Sequence, residues 1–365
     1  MSLRCGLVGL PNVGKSTLFN ALSHAGAAAE NYPFCTVEPN VGVVPVPDER
    51  LARVAELAGS PETTPTTIEF VDIAGLVEGA AEGEGLGNQF LAHIREVDLI
   101  VHVVRCFKDD EVAHVSGTVD PARDVDTIHT ELLLKDLQTV EQRIETVEAA
   151  AKKGDPDAAA ERAVFERLHA HLSKGRWARS FDASAGDRPL VDELFLLTEK
   201  PVLYAANVAE SDLPDGNAHV DQLRSLTDTE GRPVVVLSAE LEAQLAELDP
   251  ETRQLFLEDA GLQRSGLERL IHAAYDLLNL ITFFTADEKG AYAWAIEKGT
   301  QAPQAAGKVH SDMEEGFIKA ETVHFSDYNA AGSEAAAREA GLLRTEGKDY
   351  VVEDGDVMEF RFNVS

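Results

Sequence analysis

Eight residues near the start of the chain carry the clearest chemistry. Gly9-Leu10-Pro11-Asn12-Val13-Gly14-Lys15-Ser16 fits G-x-x-x-x-G-K-[ST] at every fixed position. The apolar run Leu3–Gly9 precedes it and a helix-like segment, Thr17–Ser23, follows, which is the context this motif requires. The glycines let the backbone wrap an anion closely. Successive N–H groups over Asn12, Val13, Gly14, Lys15, Ser16 and Thr17, with a helix N-terminus behind them, can then point at phosphates. Lys15 places a cation on the terminal phosphate oxygens and the Ser16 hydroxyl is a ligand for Mg²⁺.

Downstream residues extend this phosphate site. Asp72-Ile73-Ala74-Gly75 ends the run Ile68–Val71. There a carboxylate can hold the metal and the Gly75 N–H can sense the γ-phosphate. Thr36, in a loop between Pro33 and Pro39, is the expected second hydroxyl ligand for Mg²⁺. Gly79, Gly83, Gly85 and Gly87 make a glycine-rich stretch suited to an order–disorder switch. Two departures from guanine-specific hydrolases are informative. Those enzymes place a water-orienting glutamine after the glycine of the second motif, and here the residue is Leu76, which cannot polarise water. They read guanine with N-K-x-D, whereas the run Val202–Ala206 is followed by Asn207-Val208-Ala209-Glu210. Losing the lysine and the bidentate aspartate removes about 2–4 kcal/mol of preference for guanine. Adenine becomes the expected base. Ser238-Ala239, after Val234–Leu237, fits the remaining base-side loop.

These motifs need a frame that brings strand ends together. Leu3–Gly9, Ile68–Val71, Leu99–Val104, Val202–Ala206 and Val234–Leu237 are short, continuously apolar and separated by helix-length segments. That pattern predicts a doubly wound, mostly parallel α/β sheet. Between His129 and Lys174 the strands cease. Leu133, Leu137, Val140, Ile144 and Val147 form an a/d seam, Lys152–Asp157 a turn, and Val164, Leu168 and Leu172 a second stripe: an inserted antiparallel helical hairpin. Its basic residues Lys152, Lys153, Arg162, Arg167, Lys174, Arg176 and Arg179 are either a solvated helix face or a binding patch. After Asn279 a small α+β domain is expected. Its elements are a strand at Ala291–Ile296, a short one at Val323–Phe325, a helix over Asn329–Leu343 and a hairpin over Val351–Phe362 turning at Asp354-Gly355. The expected domains are 1–127 with 199–279, then 128–198, then 280–365.

Composition bounds the rest. The 365 residues include 32 Lys and Arg against 64 Asp and Glu, a formal charge of −32. Such a surface repels a phosphate backbone at long range, so any RNA contact needs a local basic patch. The acidity fits a merely soluble surface or a salt-rich cytoplasm. No apolar run reaches the length of a membrane helix and no signal-peptide pattern opens the chain, so a cytoplasmic protein is expected. Cys5, Cys35 and Cys106, odd in number and widely spaced, read as reduced thiols.

Taken in order, these parts resemble the Obg-like ATPases of the YchF type, within the translation-factor class of P-loop proteins. The resemblance spans essentially the whole chain. It rests on Asn31-Tyr32-Pro33-Phe34-Cys35-Thr36 with Glu38-Pro39-Asn40, on Asp72 through Gly87, on Asn207–Glu210, on the helical insertion and on His310 through Ala320. That last stretch looks like a TGS domain, a ubiquitin-like β-grasp module. The resemblance implies ATP hydrolysis, slow without a partner, and association with the ribosome, with RNA contact through the insertion or the TGS domain. It implies that His114, in the loop after Arg105-Cys106-Phe107, positions the attacking water and that Phe107 covers the adenine. Asn12 stands where cation-dependent members hold potassium near the phosphates. Two other readings stay open: a GTP-specific switch with a degenerate base motif, and a non-enzymatic protein whose nucleotide gates docking to RNA or protein.

Overall fold

Strands buried on both faces cannot alternate, and the first sheet obeys that rule. In a computed structural model, which describes residues 3–26, 40–73, 96–109, 114, 117–228 and 231–363, strand β5 (Leu99–Arg105) and strand β6 (Val202–Asn207) are buried at every residue. They sit inside a six-stranded sheet with β1 (Leu3–Val8), β2 (Val41–Pro45), β4 (Thr67–Asp72) and β7 (Val234–Leu237), in the order β2-β4-β1-β5-β6-β7. The pairs β1–β5, β5–β6 and β6–β7 are parallel. Parallel neighbours need crossovers, and helices α1 (Lys15–Gly26), α3 (Pro121–Ala151) and α5 (Ala218–Thr227) follow β1, β5 and β6. All the phosphate and base motifs therefore leave the carboxyl ends of the strands.

The inserted hairpin is α3 against α4 (Pro156–Leu172). Each helix starts on an aspartate N-cap followed by proline: Asp120 accepts from Arg123 N, and Asp155 from Asp157 N and Ala158 N. Val140, Val147, Val164, Phe165, Leu168 and Leu172 form its core, with Leu133, Leu137 and Ile144 packed alongside. A buried carboxylate fastens its base: Asp136 accepts from Leu197 N and Thr198 N at 2.8 Å and from Thr198 Oγ1 at 2.6 Å. Of the basic residues read as either a solvated face or a binding patch, Lys152 pairs with Glu148, Arg162 with Glu166 and Arg167 with Asp187. Arg179 lies over the Trp177 ring. Lys153 stands at the tip of the hairpin, whereas Lys174 and Arg176 follow the far end of α4, about 25 Å away along a helix of that length. Most of the basic residues therefore belong to a solvated, internally paired face.

A second sheet has the order β11-β10-β12-β8-β9-β3. Its strands are β3 (Thr63–Thr64), β8 (Leu280–Ala286), β9 (Ala291–Glu297), β10 (Phe317–His324), β11 (Arg344–Glu346) and β12 (Asp356–Phe362). Helix α7 (Ala302–Val309) lays Ala302, Ala305 and Ala306 against Phe283, Ile296, Phe317 and Met358, the β-grasp arrangement. On a separate core, α2 (Glu49–Ala58), α8 (Phe325–Ala331) and α9 (Glu334–Glu339) bring Leu51, Val54, Tyr328 and Ala337 to Phe284, Ala293 and Val323. Chain contacts group residues 43–68 with 271–365 as one compact unit, and 69–270 with the N-terminal strand and phosphate loop as the other. The stretch 43–68, expected in the nucleotide-binding domain, thus belongs to the C-terminal unit. Its amphipathic α2 buries its apolar stripe there.

Two local expectations need correction. Val351–Phe362 is not a hairpin. Gly355 N donates to Thr282 O at 2.8 Å and Asp354 Oδ1 accepts from Thr282 N at 3.0 Å. These bonds clamp the turn to β8, so the chain leaves it in β12, parallel to β8 and antiparallel to β10. The helix expected over Asn329–Leu343 is two helices, because Gly332 adopts φ 79° as a C-cap and Ser333 restarts the chain as an N-cap on Ala336 N.

A buried polar group ties α3 to the first sheet. His129 Nε2 meets Tyr204 Oη at 2.8 Å, and Arg232 Nη1 donates to the same hydroxyl at 2.9 Å while its guanidinium lies 4.2 Å over the Trp177 ring. Burial, helped by the charge of Arg232, lowers His102 to about 3; burial, then His102, Arg232 and Arg179, lowers His129 to about 2. The unfolded chain takes up these protons near pH 6.5 and the folded chain refuses them until far lower. Their neutral burial therefore costs nothing above pH 6.5 and subtracts stability as pH falls below it, by about 1.4 kcal/mol per pH unit for each histidine. His129→Gln, which keeps a polar group beside Tyr204, should flatten the decline between pH 6 and pH 4 by about that amount. Urea unfolding at three pH values checks this, and parallel curves for the variant and wild type would refute it.

Candidate nucleotide site

The phosphate loop begins where β1 runs out of partners. A Cβ on Gly9 would stand 2.7 Å from the Val103 carbonyl oxygen, so only glycine lets the chain leave β1 so close to β5. Asn12 and Gly14 then take φ 65° and 90°, left-handed conformations that turn the backbone around an anion. Val13 is buried, whereas Asn12, Ser16 and Thr17 are exposed along the mouth of the loop. Among the described residues the N–H groups of Val13 and Gly14 donate to no protein acceptor. A row of outward N–H groups at a helix N-terminus is an anion cradle.

Asn207, the last residue of β6, sets this loop's shape. Its Nδ2 donates to Val13 O at 2.9 Å and its Oδ1 accepts from Ala239 N at 2.9 Å. One buried amide thus joins the phosphate loop to the start of α6 (Ala239–Ala246), whose N-cap is Ser238. A side chain on Gly14 would overlap that amide. The base-side residues follow from the same strand. Val208 is 2% exposed and its N–H is held by Leu237 O, so its side chain packs inward. Glu210 is exposed and opens a 3₁₀ turn, Glu210–Asp212. Phe107, half-buried, follows β5, and its ring lies 4.5 Å beneath the Arg105 guanidinium.

Lys15 Nζ and Asp72 Oδ1 form a direct ion pair, with side chains 11% and 19% exposed. The phosphates of a magnesium nucleotide match the first and its metal the second. Ser16 and Asp72 supply hard oxygen donors, the set that suits Mg²⁺, and bound metal there would neutralise phosphate charge. Thr36, Gly75, Leu76 and the glycines at 79–87 lie outside the described residues. His114 Nε2 stands 2.9 Å from Asp124 Oδ2, both side chains 3% exposed, with Asp124 in the first turn of α3.

Three residues here stand out only in the folded chain. Arg105 continues the apolar run of β5 and is, among the described residues, the largest fully buried side chain; a lone charge closing a buried strand is a signal that could have found it. Asp124 and Asn217 had none, for they look like ordinary helix-start residues. Asn217 caps α5 and donates to Cys106 O and Asp212 Oδ2, both at 2.7 Å. Buried beside Asp124, the Cys106 thiol is pushed up to about 12, first by desolvation and then by that carboxylate, so it is inert as a thiolate.

Sheet order, phosphate loop and base-side loops together define a P-loop nucleotide-binding protein of the GTPase type. A family model described as 50S ribosome-binding GTPase matches residues 4–143, and the YchF-GTPase C-terminal family, described as of unknown function, matches residues 280–363. Ribosome-binding ATPase YchF of Bacillus subtilis is 53% identical over 366 residues, and that of Escherichia coli O157:H7 is 54% identical over 364, each covering 100% of both chains. The structure of the Schizosaccharomyces pombe YchF GTPase matches with a TM-score of 0.87 and 37% identity, covering 99% of this chain and 98% of that one. The chain belongs to the YchF family.

If the Asn207 amide shapes the cradle, Gly14→Ala should weaken ATP binding roughly 100-fold. Left-handed backbone strain alone costs about 1–2 kcal/mol for a residue with a Cβ, and overlap with Asn207 adds to it. Calorimetric titration measures the loss. Affinity within fivefold of wild type would show that the loop is not held as described.

Proposed function

We propose that this protein is a Mg²⁺-dependent ATPase of the cytoplasm that works on the ribosome. The observation that carries the reading is the altered base site joined to an intact phosphate cradle. Where a guanine-reading motif has lysine, Val208 is buried, and the carboxylate two residues on, Glu210, is exposed at the head of a 3₁₀ turn. The names of the relatives divide between ATPase and GTPase, and the chemistry at Val208 and Glu210 favours the first. The ribosome as partner rests on the bacterial relatives' names. RNA contact has Lys153, Lys174 and Arg176 as its exposed cations on the hairpin.

In this reading the N–H groups of Val13 and Gly14 and the Lys15 ammonium hold the phosphates. Ser16, Thr36 and Asp72 hold the metal, which supplies charge neutralisation at the transferring phosphoryl group. Gly75 senses the γ-phosphate, Phe107 covers the adenine, and Ser238-Ala239 close the base side. Potassium beside Asn12 is part of the same proposal. Leu76 offers no group to orient water, and His114 fills that role. Nε2 lies 2.9 Å from the Asp124 carboxylate, which would hold the imidazole in one orientation for that role.

Titrating ATP and GTP separately should give at least tenfold tighter binding of ATP; the reverse preference would end the adenine reading. His114→Ala should lower kcat at least tenfold with KM within about threefold, compared at a temperature where melting curves show both proteins folded. A rate within twofold of wild type would remove His114 from catalysis. Co-sedimentation with ribosomes should depend on nucleotide and weaken with salt. Turnover at background even with ribosomes present would instead favour a nucleotide-gated binding protein.

A further inference from the structure

Two consecutive carbonyls of the phosphate loop are held from behind by side chains from neighbouring strands. Asn207 takes the Val13 carbonyl, and Arg105 takes the one before it: Arg105 Nη1 donates to Asn12 O at 3.4 Å. Arg105 and Asn207 are register partners in the β5–β6 ladder, each the last residue of its strand. The other donors of the Arg105 fork reach Phe107 O at 3.2 Å from Nε and Asp109 O at 3.3 Å from Nη2, and the guanidinium lies over the Phe107 ring. None of these bonds is short, but all converge on a side chain only 1% exposed, where water does not compete.

A trans peptide points its C=O and N–H in opposite directions. Turning the Asn12 carbonyl inward onto Arg105 therefore turns the Val13 N–H outward, and Asn207 does the same for Gly14. We infer that Arg105 is a positioning residue of the nucleotide site, which aims the Val13 N–H at the phosphates and fixes the plane of Phe107. One rigid, planar group thus couples the phosphate end of the site to the base end. It also brings a cation to the base side from β5, where a guanine-type motif brings one from position 208. Lysine could not substitute: it carries the charge but not a fork that reaches three carbonyls at once.

This inference rests on the nucleotide-site reading above and is separable from it. Arg105→Lys should raise the Kd for ATP about tenfold, and KM with it, while kcat at saturation stays within threefold; binding within twofold of wild type overturns the proposal. Should the variant fail to fold, hydrogen exchange on the wild-type protein decides. Inorganic tripolyphosphate has no base, so at a concentration shown by calorimetry to saturate, it should slow exchange over residues 10–17 and also over 105–109. Protection confined to 10–17 overturns the coupling through Arg105. Lack of any tripolyphosphate binding would instead sink the phosphate-site reading itself.

Discussion

An anion-binding loop made of backbone must turn its N–H groups outward, and the peptide plane then forces its carbonyls inward, away from water. Buried carbonyls without donors are costly, by about 1–3 kcal/mol each. In this protein the donors come from Arg105 and Asn207, at the ends of two adjacent, fully buried strands. The sheet is thus more than a platform for the loop, because its register decides which two side chains arrive beneath it. A slip of one residue between β5 and β6 would replace one of these donors by an apolar neighbour.

Much else follows from that geometry. The Asn207 amide excludes any side chain at Gly14, and the closeness of β1 to β5 excludes one at Gly9. The same amide reaches Ala239 and so fixes the base-side loop at the distance the phosphate loop sets. Arg105 holds the chain leaving β5, and Asn217 ties Cys106 to the turn after β6. Beyond Cys106 the chain reaches His114, which rests on the carboxylate at the start of α3. Phosphate-loop and base-side segments therefore share buried polar contacts at the carboxyl edge of a sheet, where loops are free to vary above a rigid frame.

The parts that were legible in the sequence are those whose physics is local. Glycines that turn around phosphate, a lysine and a serine at fixed spacing, continuous apolar strands and an a/d seam all state their roles within a few residues. Val140 and Val147 lie in the core that the seam predicted. Where local signals failed, a distant partner had intervened. Asp354-Gly355 looks like a hairpin turn, yet Thr282 clamps it to β8 and sends the chain into a different pairing. The amphipathic α2 follows a strand of the first sheet but buries Leu51 and Val54 with Phe284 and Val323, far away in sequence. The dense basic run in the hairpin left a solvated face and a binding patch both open, and ion pairs within and between helices absorb Lys152, Arg162 and Arg167.

From the sequence alone came the phosphate chemistry, the loss of the guanine-reading lysine, the doubly wound frame with its helical insertion, and the family resemblance that the comparisons bear out. Each depends on residue type and spacing, which folding does not alter. Tertiary structure decided which groups stand behind those motifs. The Asn12 carbonyl needs a donor, but nothing near it in sequence says that Arg105, 93 residues on, supplies it. Nor does anything near His114 announce that it meets Asp124 in the first turn of α3. Such pairings follow from strand order and register, which are properties of the whole chain.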